Sequence, residues 1–192
     1  MTQLLKVLDL RERLICRLAI IEGMRPGEIL ALQVQDLAVD HLYVRRRVYR
    51  GEIDSPKTQK SEREVGLSPK TIRYLTEWLE LARGSRPEGW VFPAENLTSP
   101  LSRDNVWRRN ILPKLEKIGL GWANFQVMRR ANTNLGRKGR VDDKVAADQR
   151  GHGLGVSLDV YANSGLEQKV DAVRRIAALV DEEEGAFGNL VG

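Results

Sequence analysis

The 192-residue chain holds 42% hydrophobic and 30% charged residues, an ordinary globular composition that sets disorder aside and suffices for one domain with its own core. Its net charge of +5 and pI near 9.5 allow an anionic partner without identifying one. No apolar run approaches the ~18 residues of a membrane-spanning helix, charge comes too early for a secretory leader, and the single Cys16 excludes an internal disulfide or a Cys-rich zinc site. These features predict a cytoplasmic protein.

In chain order, Leu10, Leu14, Leu18 and Ile21 recur at helical spacing across residues 9–22, and Gly23 ends that helix. Pro26 suits the first turn of a short helix over PGEILALQ. LYVRRRVYR (42–50), a segment ending near Lys57 and REVGL (63–67) read as three strands of one small antiparallel sheet, with KTQKSE as a turn. Ser68-Pro69 predicts a hydroxyl-capped helix start. That helix runs to about Arg83 with Ile72, Leu75, Leu79 and Ala82 on one face, and GSRPEG follows as a loop. Ser102 caps a helix that turns Val106, Ile111 and Leu115 inward and is kinked at Pro113. Short helices are expected over 124–136, 141–149 and 155–163. A last amphipathic helix over 166–183 carries Val170, Val173, Ile176, Ala177 and Val180 on its apolar face. The expected fold class is mainly α with a small antiparallel β-sheet (α+β), in a single domain.

Positive charge collects in RRRVYR (45–50), KTQKSER (57–63), WRRN (107–110), MRR (128–130) and GRKGR (136–140), and negative charge in DEEE (181–184). Basic segments of this kind track phosphates. They make Arg45, Arg46, Arg47, Lys60, Arg130, Arg137 and Lys138 the candidate DNA-contacting residues.

No HExxH, GxSxG, Walker or GxGxxG signature occurs, and the only histidines are His41 and His152. What remains is a scattered set: Arg25, Lys57, Arg129, His152 and Tyr161. Taken singly, each reads as an ordinary residue: a junction arginine, a solvated turn lysine, half of an exposed Arg129–Arg130 pair, a loop histidine, a core tyrosine whose hydroxyl reaches the surface. Their order is more specific. GMRPGEILAL, SPKTQKSEREVGL, NFQVMRRANTNLG and QRGHGLGVSLDVYANS together resemble the sequence boxes of the tyrosine recombinase, or phage integrase, family, across roughly residues 9–180. The last box, Gly-His followed by tyrosine, is the most specific of them, and the lysine segment the least.

The resemblance implies the catalytic-domain fold of that family and a DNA strand exchange that needs no metal or cofactor. Arg25 and Arg129 would hold the scissile phosphate, with Glu28 orienting Arg25. Tyr161 would be the nucleophile, Lys57 the acid (Lys60 is a second candidate), and His152 a hydrogen-bond donor to the phosphate. Gln126 departs from the family, which usually has His or Lys there; glutamine cannot exchange a proton near neutral pH. The implied partners are double-stranded DNA and further copies of the chain assembling on it, as a tetrameric synapse in the family, with no membrane. The implied setting is the nucleoid of a bacterium or the genome of a phage. The family's N-terminal core-binding domain is absent from this sequence. The helix from 166 and the tail to 192 would either dock on a neighbouring copy or pack on their own domain. A type IB topoisomerase, and a DNA-binding relative without catalysis, are the alternative functions.

Overall fold

A computed structural model describes residues 1–54, 62–82, 88–151 and 165–188, with side chains described as far as Asp181. Lys57, Lys60, His152, Tyr161 and the expected helix over 155–163 lie outside the described residues. Helix α1 (Thr2–Lys6) precedes α2 (Leu10–Ile20), α3 (Pro26–Leu30) and a 3₁₀ turn over Val34–Asp36. Four short strands follow: β1 (His41–Val44), β2 (Arg47–Tyr49), β3 (Glu52–Asp54) and β4 (Arg63–Gly66). The remainder is helical: α4 (Pro69–Leu81), α5 (Arg103–Val106), α6 (Leu112–Glu116), α7 (Phe125–Lys138), α8 (Asp143–Arg150) and α9 (Leu166–Gly188).

The core is organised around α2, whose residues from Leu14 to Ile20 are all buried. A helix apolar on nearly every face must be covered on nearly every face, and α3, α4 and α7 pack around it. Gly23, at φ +71°, takes the left-handed conformation that ends α2, while the Met24 amide returns to the Leu18 carbonyl at 3.1 Å. The Asn132 side chain of α7 donates to the neighbouring Ile20 and Ile21 carbonyls at 3.0 and 2.8 Å. The end of α2 is thereby tied to α7.

Three expectations need correcting. The described strands form two separate two-stranded pairs, β1 with β4 and β2 with β3, instead of one sheet. The run expected as a continuous strand over 42–50 breaks after Val44, because Arg45 and Arg46 both turn to the buried carboxylate of Asp36, at 3.3 and 2.6 Å. Ser68 does begin α4, but its hydroxyl does not cap the helix. It lies instead in a buried network with Thr71 at 2.9 Å and the Glu22 carboxyl at 3.1 Å. Burial pushes the Glu22 carboxyl up from its ordinary range. Ser102 does cap α5, accepting from the Asn105 amide at 3.4 Å. Between α5 and α6 the helix opens into a π turn over Trp107–Ile111. Pro113, which has no N–H to donate, sits just beyond that turn, and the wider ladder relieves the clash its ring would otherwise cause.

Helix α9 buries Val170, Val173, Ile176, Ala177 and Val180 against β4, α7, α8 and α1. Its approach to β4 is so close that a Cβ at Gly66 would lie 2.8 Å from the backbone of Lys169 and Val170. The wholly buried guanidinium of Arg17 clasps Asp181 of α9 with two hydrogen bonds, at 2.9 and 3.0 Å.

Candidate functional site: an arginine cradle at the end of helix α8

Three guanidiniums converge on three successive carbonyls where α8 ends. Arg63 Nε donates to Gln149 O at 3.2 Å, Arg129 Nη2 to Arg150 O at 3.4 Å, and Arg25 Nη2 to Gly151 O at 3.0 Å. The last carbonyls of a helix lack intrahelical partners and carry the negative end of its dipole, so cations settle there. Gly151 closes α8 at φ +64°, and a Cβ at that position would sit 2.7 Å from the Arg63 guanidinium. Only glycine allows both the turn and the approach. Arg129 Nη1 also donates to the Gly23 carbonyl, so the αL end of α2 and the end of α8 grip the same side chain.

Glu28 ties the arginines together. Its carboxylate accepts from the Arg25 backbone and side chain, both at 2.9 Å, and from both amino groups of Arg63, at 3.1 and 2.9 Å. Burial alone would raise this carboxyl. The hydrogen bonds and charge of Arg63, joined by those of Arg25, outweigh it and hold the group down at about 2. Arg129 is pulled down to about 10, first by burial and then by the charge of Arg25, with Glu28 opposing and Arg63 and Arg150 adding to the repulsion. It remains protonated at neutral pH. Guanidiniums gathered in this way suit an anion with several oxygens.

Beneath the cradle, Gln149 pairs with Gly66 of β4 in both directions, donating to its carbonyl at 3.0 Å and accepting from its amide at 3.1 Å. This sets the height of α8 against the strand that carries Arg63. Arg150 extends the cluster and reaches the Asn132 Oδ1 at 3.4 Å. Arg63 and Arg150 were absent from the sequence-derived set. The alternation Arg63, Val65, Leu67 was the available signal, because it puts an arginine on the inward face of a strand.

A cavity of about 430 Å³ opens next to Arg129. Trp107 and Phe125, with ring centroids 5.0 Å apart and planes tilted by 53°, supply aromatic wall. Arg103, Asp104, Asn124 and Gln126 add polar groups, and Pro26 of α3 borders it beside Arg25.

Of the residues singled out in the sequence, the structure brings together Arg25, Glu28 and Arg129, and places Gln126 on the adjoining cavity. Arg130, Arg137 and Lys138 are exposed on α7. Arg45 and Arg46 are held by Asp36, and Arg47 pairs with Asp54 at 2.9 Å. Among the described residues, no group of three or more His, Cys, Asp or Glu side chains could hold a metal ion.

The family model for the phage integrase family matches residues 1–167. The protein y4qK of Sinorhizobium fredii (strain NBRC 101917 / NGR234), named as an integrase/recombinase, is 31% identical over 100 residues, which is 52% of this chain and 29% of that one. Among solved structures, the Tn1549 transposon integrase in complex with transposon right end DNA superposes with a TM-score of 0.64 at 18% identity, over 88% of this chain and 59% of that chain. The integrase from mycobacterium phage Brujita gives 0.63 at 14% identity, over 91% and 55%. The XerH site-specific recombinase bound to difH substrate gives 0.55 at 18%, over 97% and 49%. At such identities the structural likeness is one of fold, and the chain spans roughly half to three fifths of those solved chains. With the family model covering all but the last 25 residues (192 − 167), this chain belongs to the phage integrase family.

Proposed function

We propose that this chain is the catalytic part of a site-specific DNA recombinase that cuts and rejoins DNA through a 3′-phosphotyrosine link on Tyr161. The observation that carries the reading is the cradle: Arg25 and Arg129, 104 residues apart (129 − 25), are anchored on adjacent carbonyls, with Arg63 and Arg150 near enough to add their charge. A phosphodiester carries one negative charge and gathers more on its non-bridging oxygens in the transition state. Two pre-anchored guanidiniums meet those oxygens without reorganising, which is where electrostatic catalysis is strongest.

In the proposed reaction the Tyr161 hydroxyl oxygen attacks phosphorus, the new P–O bond forms and the bond to the 5′ oxygen breaks. The tyrosine proton passes to solvent or to His152, and the leaving 5′ oxygen takes a proton from Lys57. The phosphodiester bond energy stays in the tyrosyl link, so a 5′-hydroxyl can reverse the step. Gln126 can orient the phosphate by hydrogen bonding but takes no proton. That one substitution favours the second reading, a relative that binds DNA without cutting it.

The test uses nicked suicide duplexes with randomised cores, denatured in detergent after incubation, with protein retained on DNA as the readout. The wild-type chain is expected to form adduct, and Arg129→Lys to slow its formation by about 10²–10³-fold while DNA is still bound. Gln126→His is expected to speed it, by up to the ~10²–10⁴-fold of general acid–base help. Bound DNA with no adduct from either the wild type or Gln126→His would leave the non-cutting reading in place.

A further inference from the structure

We propose that the cavity beside Arg129 is a nucleobase pocket, which takes one base next to the phosphate held by Arg25 and Arg129, with the face of the base on Trp107 and its edge read by Asp104. This rests on the phosphodiester reading of the cradle. Its size, about 430 Å³, falls within the ~300–1,000 Å³ range of built small-molecule sites. Its chemistry is divided as a nucleotide's is. Arg129, at one end, supplies cationic charge. Phe125 is nearly buried and packs on Trp107, while Trp107 stays partly open to the cavity at the start of the π turn. Base–aromatic stacking needs no more than such an open ring.

The polar groups narrow the choice of base. The Asp104 carboxylate accepts hydrogen bonds, so it suits an exocyclic amine: the N4 of cytosine, the N6 of adenine or the N2 of guanine. Thymine presents no such donor. Arg103 Nε donates to the Asp104 carboxylate at 3.0 Å, and both side chains are exposed. Asn124 commits its side-chain oxygen to the Val127 amide at 3.0 Å, which leaves the NH₂ as its donor to a base acceptor. A base within an intact duplex is stacked on both faces. A base at a freshly broken strand end is the one able to leave the stack, so the pocket is suited to the cleaved state.

The experiment follows the indole N–H signals of the four tryptophans in a ¹H–¹⁵N spectrum of the whole chain, with Trp107 assigned from a Trp107→Phe variant. The ligands are the four deoxynucleoside 3′-monophosphates, with abasic deoxyribose phosphate as control. The Trp107 signal is expected to move with the cytosine, adenine and guanine nucleotides at concentrations at least about tenfold below those needed for the thymine nucleotide or the abasic phosphate. Asp104→Ala, a surface change that removes the acceptor, is expected to erase the preference over thymine. A Trp107 signal that stays still, one that responds equally to the abasic phosphate, or a base order unchanged by Asp104→Ala would overturn the proposal. The titration involves no strand cleavage, so its failure is distinct from a failure of the adduct assay.

Discussion

Glu28 accepts four hydrogen bonds, from Arg25 and Arg63, and is nearly buried, so its charge is a condition for the cradle to exist. Its carboxyl falls from an ordinary 4.5 to about 2 on folding. A carboxyl depressed in the folded state stabilises it fully above 4.5, and that contribution is lost as pH falls through the window from 4.5 to about 2. Urea unfolding across that window should show stability falling with pH, and Glu28→Gln should flatten the fall. The same variant should lose about 3–5 kcal/mol at neutral pH, as expected when one partner of a buried pair is removed. A Glu28→Gln chain as stable as the wild type, with the same acid limb, would contradict this account. Arg25, Glu28 and Arg129 were legible in the sequence because each sits in a box with an ordered neighbour. The Arg63, Val65, Leu67 alternation marks Arg63 as inward but not what it meets, and Arg150, beside a glycine, reads as solvated until the tertiary partners are known. Here those partners are Glu28 and Asn132, at sequence distances of 35 and 18 residues.

Among elements, α8 and α9 decide whether the cradle holds. The end of α8 supplies its carbonyls, and α9 packs across both α8 and β4. The tie of α9 to the core is electrostatic as well as apolar: Arg17, with no exposed side-chain surface, has Asp181 as its carboxylate. Asp181→Ala leaves that cation buried without the carboxylate that clasps it, with the Glu22 carboxyl as a remaining acidic neighbour. The expected loss is about 3 kcal/mol, the lower end for such pairs because the Asp181 side chain is itself 26% exposed. Replacing both, Arg17→Met with Asp181→Leu, should recover most of it, since an apolar pair of similar volume avoids the desolvation cost. Urea midpoints measure both variants; a double variant no better than the single would show that the helix is held by something else. Helices were the legible elements, since a 3.6-residue period survives almost any context. Helix α1 was missed because its five residues are too short for a period to register. The break after Val44 was equally hidden, as it depends on Asp36 reaching Arg45 and Arg46 and not on any local turn signal.

For the molecule as a whole, the proposed partner is duplex DNA. Arg137 and Lys138 stand exposed on the helix that carries Arg129 inward, so α7 spans from the cradle to the surface. If both contact phosphate, replacing both with Gln should weaken binding about equally for all sequences. It should also lower the slope of log affinity against log salt by about 2. An unchanged slope, read by fluorescence anisotropy over a salt series, would remove α7 from the DNA interface. The fold class was readable at this scale from composition and period. The division of the strands into two pairs was not, because pairing joins residues far apart in the chain, such as Leu42 with Val65.

The central claim is that Tyr161 becomes covalently bound to DNA, and the most direct measurement is to map the attachment. The adduct trapped on suicide duplexes would be digested with nuclease and trypsin, and the peptide carrying the residual nucleotide sequenced by mass spectrometry. The chain has four tyrosines, so the result is a choice among few positions. The account predicts a phosphonucleotide on Tyr161, within the peptide that follows Arg150, and none from Tyr161→Phe. A nucleotide on Tyr43, Tyr49, Tyr74 or any serine, or an adduct that survives Tyr161→Phe, would contradict it.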